Sequence, residues 1–427
     1  MNNVIAPKEY KLSKLNTYYI FTLLFLLYFF DYVDRMIVTS LMPYIKLEYG
    51  LTDTQSGLLV SVVYWSIVVF VLPVSILVDR WSRKKTIGIM AFIWSMATLA
   101  CAFTKTFPQL LMTRSAIGIG EAGYAPAGTA MLSGLFPPEK RSRMMGLWNM
   151  SIPLGIAVGI GVGGFVAQHW GWRHAFGLVA IPGALIAILF FFVKDYKTVE
   201  LVQTVESSKV KMSKVDIFRS FIKTPSLIFT YLGFIGCVFT NNAITTWLPT
   251  YYHRLEGVPL GQAGMKTSGI LMLAIIGLPL GGWVADWWFK KQPSSRLMFP
   301  SITVALSAVV VFIAFSFLEG KAQYMALLLY GILGVGFVAA AITATQETVH
   351  AGLRAISYSV CVVVQNILGA SLGPIVIGAF SDAYGIKVAM TILPIFLLAS
   401  ALLFFAGSFF YEKDLKKVEK VTLECES

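Results

Sequence analysis

Residues 21–41 read FTLLFLLYFFDYVDRMIVTSL, an apolar run that carries three charges in its second half. The run is long enough to cross a bilayer, because about 20 helical residues span a hydrocarbon core of about 30 Å. Similar runs recur along the whole chain, which is 57% hydrophobic and 13% charged. Soluble proteins carry about 25% charged residues, so the composition predicts an integral membrane protein.

The chain holds twelve such apolar runs, which predict an all-α membrane protein with twelve transmembrane helices. Their approximate limits are 18–43, 56–78, 86–103, 108–136, 143–168, 174–194, 226–252, 264–288, 297–318, 322–348, 356–381 and 388–411.

The longest polar stretch, residues 195–225, divides the runs into two sets of six. It predicts an N-terminal six-helix bundle over 1–194, a cytoplasmic linker over 195–225, and a C-terminal bundle with a cytoplasmic tail over 226–427. The halves also resemble each other: ILVDRWSRKK (76–85) is echoed by GWVADWWFKK (282–291), and LGIAVGIGVGG (154–164) by LGASLGPIVIG (368–378). These repeats predict a duplicated, pseudo-symmetric unit.

Lysine and arginine concentrate in alternate loops, which by the positive-inside rule places both termini in the cytoplasm, and we expect a bacterial inner membrane. The net charge of +12 is then explained by loops that face anionic lipid headgroups, not by nucleic acid. The four scattered cysteines predict neither a disulfide framework nor a metal site. Membrane lipids are the partners expected at this point, with no cofactor, and we expect a monomer.

Five ionisable residues lie at membrane depth, away from the ends of the apolar runs. Asp31, Asp34 and Arg35 share one helix face at spacings of three and four, and Arg114 and Glu121 are two helical turns apart in the fourth run. A charge at the centre of a membrane helix costs at least about 2.5–3.5 kcal/mol. We therefore expect these side chains to face the interior of the bundle and to pair with one another.

Two interpretations of this cluster stay open. The ion pairs could simply fix two helices together. Alternatively, three carboxylates and two guanidinium groups leave one excess negative charge, and because burial disfavours the charged form, one carboxyl would exchange a proton. We favour proton coupling through Asp34, Glu121 and Asp31, with Arg35 and Arg114 binding substrate, and we expect loss of Arg114 to weaken binding more than folding.

The stretch GIGEAGYAP (118–126) matches the dinucleotide pattern G-x-G-x-x-G, but that motif requires a soluble strand–helix unit. Within an apolar run the glycines instead predict close packing of helices.

Two further groups of residues are candidate sites. FTNNAITTWLPTYY (239–252) suggests an interrupted helix in which Asn241, Asn242 and Trp247 contact substrate; helix–helix hydrogen bonding with an interfacial aromatic anchor is the alternative. Charges that recur after the second and eighth runs predict a cytoplasmic gate or interhelical latch. They are Asp79, Arg80, Arg83, Lys84 and Asp286.

The twelve runs, the central loop, D-R-x-x-R-K at 79–84 and R-x-x-x-G-x-G-E at 114–121 together resemble the major facilitator superfamily. The resemblance covers essentially the whole chain, although Ser75 and Ser82 stand where that superfamily usually has glycine. It implies alternating access by two six-helix bundles.

Within the superfamily, YVDR (32–35), RSAIGIGEAGYAPA (114–127), MSIPLGIAVG (150–159) and LGPIVIGAFSD (372–382) are similar to the spinster family. That resemblance implies a carrier of lysophospholipids or sphingoid-base phosphates. It also implies a substrate and proton site formed by Asp34, Arg35, Arg114 and Glu121, with Asp31 standing where relatives often have asparagine.

The sequence thus predicts a proton-coupled secondary active transporter and not an enzyme. A proton-coupled symporter of a small organic anion or sugar acid is the alternative, since such symporters share much of the same pattern. A membrane receptor or sensor that transports nothing is the alternative from another class.

Overall fold

The computed structural model describes residues 13–80, 83–136, 138–193, 221–350 and 353–418, and these residues are almost entirely helical. The first half contains α1 (Lys14–Tyr49), α2 (Asp53–Arg80), α3 (Arg83–Cys101), α4 (Phe107–Glu121), α5 (Tyr124–Leu135), α6 (Pro138–Asn149), α7 (Ser151–Trp170) and α8 (Trp172–Phe191). The second half contains α9 (Pro225–Glu256), α10 (Leu260–Met272), α11 (Ala274–Phe289), α12 (Ser295–Ser316), α13 (Gly320–Gly336), α14 (Val338–Glu347), α15 (Arg354–Gln365), a π-helix (Asn366–Ala370), α16 (Leu372–Tyr384), α17 (Ile386–Thr391) and α18 (Leu393–Lys417).

These helices group into the twelve predicted spans, so the all-α fold class is confirmed. Consecutive helices form single spans in five places: α4 with α5, α6 with α7, α10 with α11, α13 with α14, and α17 with α18; α15, the π-helix and α16 form the eleventh span. In the described part of the chain, nine stretches are long and apolar enough to cross a membrane. The helix α1 is not among them, and its apolar run is the one that Asp31, Asp34 and Arg35 interrupt.

The seventh span corrects one expectation, because α9 runs without interruption through Asn241, Asn242 and Pro249. Proline is tolerated inside membrane helices where side chains and neighbouring helices satisfy the freed backbone groups. The seventh span is thus continuous, whereas the fourth span is divided after Glu121 and the eleventh contains the π-helix.

The glycines of the fourth span have the packing role predicted for them. A Cβ added to Gly118 would lie 2.5 Å from the carbonyl oxygen of Val63 in α2, and one added to Gly120 would lie 2.7 Å from Trp94 in α3. Real Cβ atoms do not approach other atoms so closely, so only glycine allows these helices to come this near. The dinucleotide pattern is therefore a product of helix packing.

Glycines of the fifth and eleventh spans show the predicted duplication directly. A Cβ on Gly159 would meet the carbonyl of Val33 in α1 at 2.6 Å, and a Cβ on Gly373 would meet the carbonyl of Phe239 in α9 at 2.5 Å. The fifth span thus packs on the first span as the eleventh packs on the seventh. The same contact recurs in both halves.

A second pair of glycines joins the halves to each other. Gly164 in α7 approaches the carbonyl of Leu260 at the start of α10, and Gly378 in α16 approaches the carbonyl of Asp53 at the start of α2, with added Cβ atoms 2.8 and 2.6 Å away. Both contacts lie at the end of the bundle where α1 finishes and α2 begins, which we call the distal end. The opposite end, from which α1 starts, is the terminal end.

Candidate substrate and proton site

The charged cluster lies in the interior of the first half, between α1 and α4. Asp31, Asp34, Arg35, Arg114 and Glu121 are all at most 9% exposed, and Arg114 is fully buried. Glu121 is the last residue of α4, just before the break in the fourth span. The expectation that these side chains face the interior and pair with one another is confirmed.

Arg35 is held by two carboxylates. Its Nη2 lies 3.0 Å from Asp31 Oδ2, one turn earlier on α1, and 2.8 Å from Glu121 Oε2 on α4. Its Nε also donates to Glu121 Oε2 at 3.1 Å. One guanidinium group thus links two acids and two helices. Because both partners are charged, these hydrogen bonds are stronger than bonds between neutral groups.

Arg114 is bound by backbone carbonyls rather than presented to a cavity. Its Nε donates to the carbonyl of Leu59 at 3.2 Å, its Nη1 to that of Asp34 at 3.2 Å, and its Nη2 to that of Arg35 at 3.1 Å. These bonds tie α4 to α2 and to the segment of α1 that carries the other charges. The guanidinium of Arg114 thus binds the backbone, whereas the sequence predicted that it contacts substrate.

Asp34 lies between α4 and α3. Its Oδ1 is 3.9 Å from Arg114 Nη1, and its Oδ2 accepts a hydrogen bond from the Thr98 hydroxyl in α3. Among the described residues, one oxygen on each of the three acids has no hydrogen-bond partner: Asp31 Oδ1, Asp34 Oδ1 and Glu121 Oε1. Buried carboxylate oxygens normally have partners, so each acid retains capacity for a proton or a ligand.

Aromatic rings connect the cluster to the second half. The Arg35 guanidinium lies 4.7 Å from the ring centre of Tyr32 and 5.5 Å from that of Tyr64. The Tyr64 hydroxyl then donates to Asn242 Oδ1 in α9 at 2.9 Å. Asn242 therefore lies near the charged cluster, and Asn241 precedes it on the same half-buried turn.

Trp247 lies away from this contact, deep in the second half. Its ring is fully buried, and its indole N–H donates to the carbonyl of Pro374 in α16 at 3.0 Å. This contact joins the seventh and eleventh spans. We leave Trp247 out of the site proposed below.

The predicted charges at the terminal end separate into two groups. Asp286 forms an ion pair with Arg296 at 2.6 Å, and Arg296 also donates to Glu347, which accepts a bond from Tyr411. This network fixes helices of the second half to one another, which fits the interhelical latch. The side chains of Asp79, Arg80 and Arg83 lie outside the described part of the structure, and Lys84 lies in the first turn of α3.

A second polar network, which the sequence had not indicated, closes the distal end. Asp53 at the start of α2 accepts bonds from both terminal nitrogens of Arg254, at 2.6 and 2.7 Å, and from Ser381. Lys46 approaches the same carboxylate. Since Arg254 and Ser381 belong to the second half, we call this set the distal network.

Backbone contacts extend the distal network. Asp382 in α16 accepts bonds from the backbone N–H groups of Asp53 and Thr54, at 2.7 and 2.8 Å. Each half thus places an aspartate against the other. The charges were visible in the sequence as ends of spans. Their pairing was not, since Asp53 is 201 residues from Arg254 and 329 residues from Asp382.

The sequence profile of the Major Facilitator Superfamily matches residues 24–374 of this chain. The chain belongs to the major facilitator superfamily. Membership makes it an integral multi-pass membrane transporter, and it accounts for the twelve spans and the duplicated halves.

The chain is also similar to individual proteins of two kinds. Protein spinster homolog 1 of Xenopus tropicalis is 26% identical over 93% of this chain and 81% of its own length. The hexuronate transporter of Bacillus subtilis is 28% identical over 67% of this chain and 68% of its own. A bacterial homologue of the human lysosomal transporter spinster, solved in an inward-facing and unoccupied conformation, has the same fold, with a TM-score of 0.86, 21% identity, and coverage of 94% of this chain and 99% of that one.

Proposed function

We propose that this protein is a proton-coupled secondary transporter of an amphiphilic or anionic organic solute, with a lysophospholipid or a sphingoid-base phosphate as the first candidate. One observation carries the proposal: Arg35, at the middle of α1, is held by the side chains of Asp31 and Glu121. A guanidinium group binds phosphate and carboxylate with the same geometry that it uses for these acids. An anionic cargo can therefore replace them.

Binding of cargo and binding of a proton are coupled through the acid that the cargo displaces from Arg35. If the cargo takes Glu121's place on Arg35, the Glu121 carboxylate is left buried without a counter-charge, which is strongly unfavourable. A proton on Glu121 removes that charge. Cargo and proton therefore bind together, and each leaves more readily when the other has left.

Asp34 is the second proton-binding candidate, since its Oδ1 has no hydrogen-bond partner among the described residues. Arg114 supports both acids indirectly, because its bonds to the carbonyls of Asp34 and Arg35 fix this turn of α1. A shift of about 1 Å in a binding group costs much of its effect. We therefore assign Arg114 the role of positioning Arg35 and Asp34.

Alternating access would proceed by rocking one half against the other. The structure is closed at the distal end by the Asp53–Arg254 and Thr54–Asp382 contacts. Opening that end requires these bonds to break. We place the terminal end, with both chain termini, in the cytoplasm of a bacterial inner membrane, and a reporter fused to the C-terminus would test this orientation.

Two observations support the candidate cargoes. The likeness to spinster homolog 1 extends over nearly the whole chain, and the resemblance of the sequence motifs to the spinster family implies a lysolipid or sphingoid-base phosphate. The runner-up is a sugar acid, supported by the hexuronate relative and by Tyr64 and Asn242, neutral groups near Arg35 that suit the hydroxyls of a sugar.

Uptake into proteoliposomes tests the proposal. Purified protein would be offered lysophosphatidylcholine, sphingosine 1-phosphate and glucuronate separately, with and without an imposed pH gradient. We expect saturable uptake of a lysolipid that a protonophore abolishes; uptake of glucuronate alone would favour the runner-up. Binding without counterflow would indicate a receptor, and transport that ignores the pH gradient would overturn proton coupling.

A further inference from the structure

The buried cluster contains more acid than base. Asp34 lies beside Arg114, which leaves Asp31 and Glu121 to share Arg35. If all three were ionised, Asp31, Arg35 and Glu121 would carry one net negative charge in a site where none of them is more than 9% exposed. An uncompensated buried charge of this kind costs several kcal/mol.

The two acids meet on a single atom. Asp31 Oδ2 and Glu121 Oε2 both contact Arg35 Nη2, at 3.0 and 2.8 Å, so the carboxyl groups are separated by one nitrogen. Each also has a second oxygen with no hydrogen-bond partner among the described residues. Two carboxyl groups this close bind protons as a pair rather than independently.

The groups around the triad do not supply the missing positive charge. The Tyr32 and Tyr64 rings cover Arg35, and on α1 and α5 the rings of Tyr28 and Tyr124 lie beside each other near Asp31. These phenols are neutral at ordinary pH. On α9, Asn242 is neutral as well, and Arg114 on α4 is bound to carbonyls beside Asp34.

We propose that Asp31 and Glu121 form a proton-sharing pair across Arg35, which holds one proton in the substrate-free protein. One shared proton makes the triad neutral and leaves one carboxylate on the guanidinium. This inference deepens the proposed function, on which it rests for the use made of the proton, but not for the presence of the proton. In this pair Asp31 shares the proton with Glu121, which requires two acids at Arg35.

A consequence concerns the number of protons that accompany the cargo. With one proton already resident, a monoanionic group that takes over Arg35 requires only one more, and the triad with its cargo is again neutral. Asp31 thus acts as a resident proton carrier, and Glu121 exchanges the transported proton with solvent.

Isotope-edited infrared spectroscopy of the substrate-free protein in lipid tests the pair without any variant. Protein labelled with ¹³C at the aspartate or the glutamate carboxyl would be compared at pH 7 and under alkaline conditions. We expect a protonated-carboxyl C=O stretch at pH 7 that shifts in deuterated water and responds to both labels. Absence of that band at pH 7 would overturn the inference, as would a response to one label alone.

Three variants locate the proton. Asp31→Asn and Glu121→Gln should each lose the band, because each leaves a single acid for Arg35, whereas the matched control Asp34→Asn should keep it. A band that survives in Asp31→Asn, or that is lost in Asp34→Asn alone, would place the proton elsewhere and refute the pair. No cargo is added in the infrared experiment. A result against the proton-sharing pair therefore leaves the proposal of proton-coupled transport through Glu121 unchanged, and absence of proton-coupled uptake leaves the proton-sharing pair unchanged.

Discussion

Arg35 reaches Glu121 at 2.8 Å and so joins the middle of α1 to the last residue of α4. The C-terminal end of a helix carries partial negative charge, so the ionised Glu121 carboxylate depends on Arg35 for its stabilisation. The fourth span breaks directly after this residue and resumes at Tyr124. The bond that we propose cargo replaces therefore lies at a discontinuity of the fourth span.

Glu121→Gln should abolish transport driven by a pH gradient. Glutamine keeps the shape and can still accept a bond from Arg35, but it cannot take up or release a proton. The measurement is initial uptake into proteoliposomes with an imposed gradient, beside counterflow without one. We expect counterflow to persist, and a pH-driven flux equal to that of the unmodified protein would exclude Glu121 as the coupling residue.

Arg114→Lys should mainly reduce stability, whereas Arg35→Lys should mainly reduce affinity for cargo. Lysine cannot reach the three carbonyls that Arg114 binds, and disruption of such a buried charge network costs about 3–5 kcal/mol. Arg114→Lys should therefore lower the midpoint of thermal unfolding strongly. Arg35→Lys should melt closer to the unmodified protein but lose affinity for cargo; equal melting of the two variants would contradict the positioning role.

The carbonyl bonds of Arg114 lead us to predict that its loss weakens folding more than binding, the opposite of the expectation from the sequence. The sequence showed which charges lie within the membrane, because ionisable residues stand out in apolar runs, and helical spacing placed Asp31 and Arg35 on one face. It also predicted that these charged side chains pair with one another inside the bundle. It did not show that Arg114 binds backbone carbonyls, since carbonyls are present at every residue and leave no mark in a sequence.

The duplicated glycines could be predicted from the sequence, whereas the distal network could not. Gly159 and Gly373 were predictable as equivalent because the repeat places them in register. Asp53 and Arg254 are single charges at the ends of different spans, and their pairing depends on how the two halves meet. That contact forms only in a particular arrangement of the two halves, whereas the packing within each half follows from the repeated glycines in the sequence.

Asp53→Asn should favour opening of the distal end. Asparagine removes the charge that Arg254, Lys46 and Ser381 share, so the closed arrangement loses its main polar contact between halves. Spin labels at the exposed distal positions Lys105 and Lys321, each replaced by cysteine, would report the separation by double electron–electron resonance. We expect the population at long distances to increase several-fold.

Glu48→Gln is the matched control for that experiment. Glu48 also forms a distal ion pair, with Arg173 at 2.7 Å, but both residues belong to the first half. Removal of this charge should leave the distance distribution unchanged. A similar shift in both variants would mean that general loss of surface charge, rather than the contact between halves, opens the distal end.

Alanine at four glycines should distinguish packing within a half from contact between halves. Gly159→Ala and Gly373→Ala each force a Cβ against a carbonyl of the same half, and overpacking of this kind costs about 1–3 kcal/mol. Both should lower the thermal midpoint by similar amounts, because the repeat gives them equivalent neighbours.

Gly164→Ala and Gly378→Ala press against the other half and should instead lengthen the distal spin-label distance with less loss of stability. Gly177→Ala is the control, since an added Cβ there has no neighbour within 4 Å. Alanine favours the helix over glycine, so this variant should melt no lower than the unmodified protein. Destabilisation of it to the same extent as the other variants would show that close contact does not govern the series.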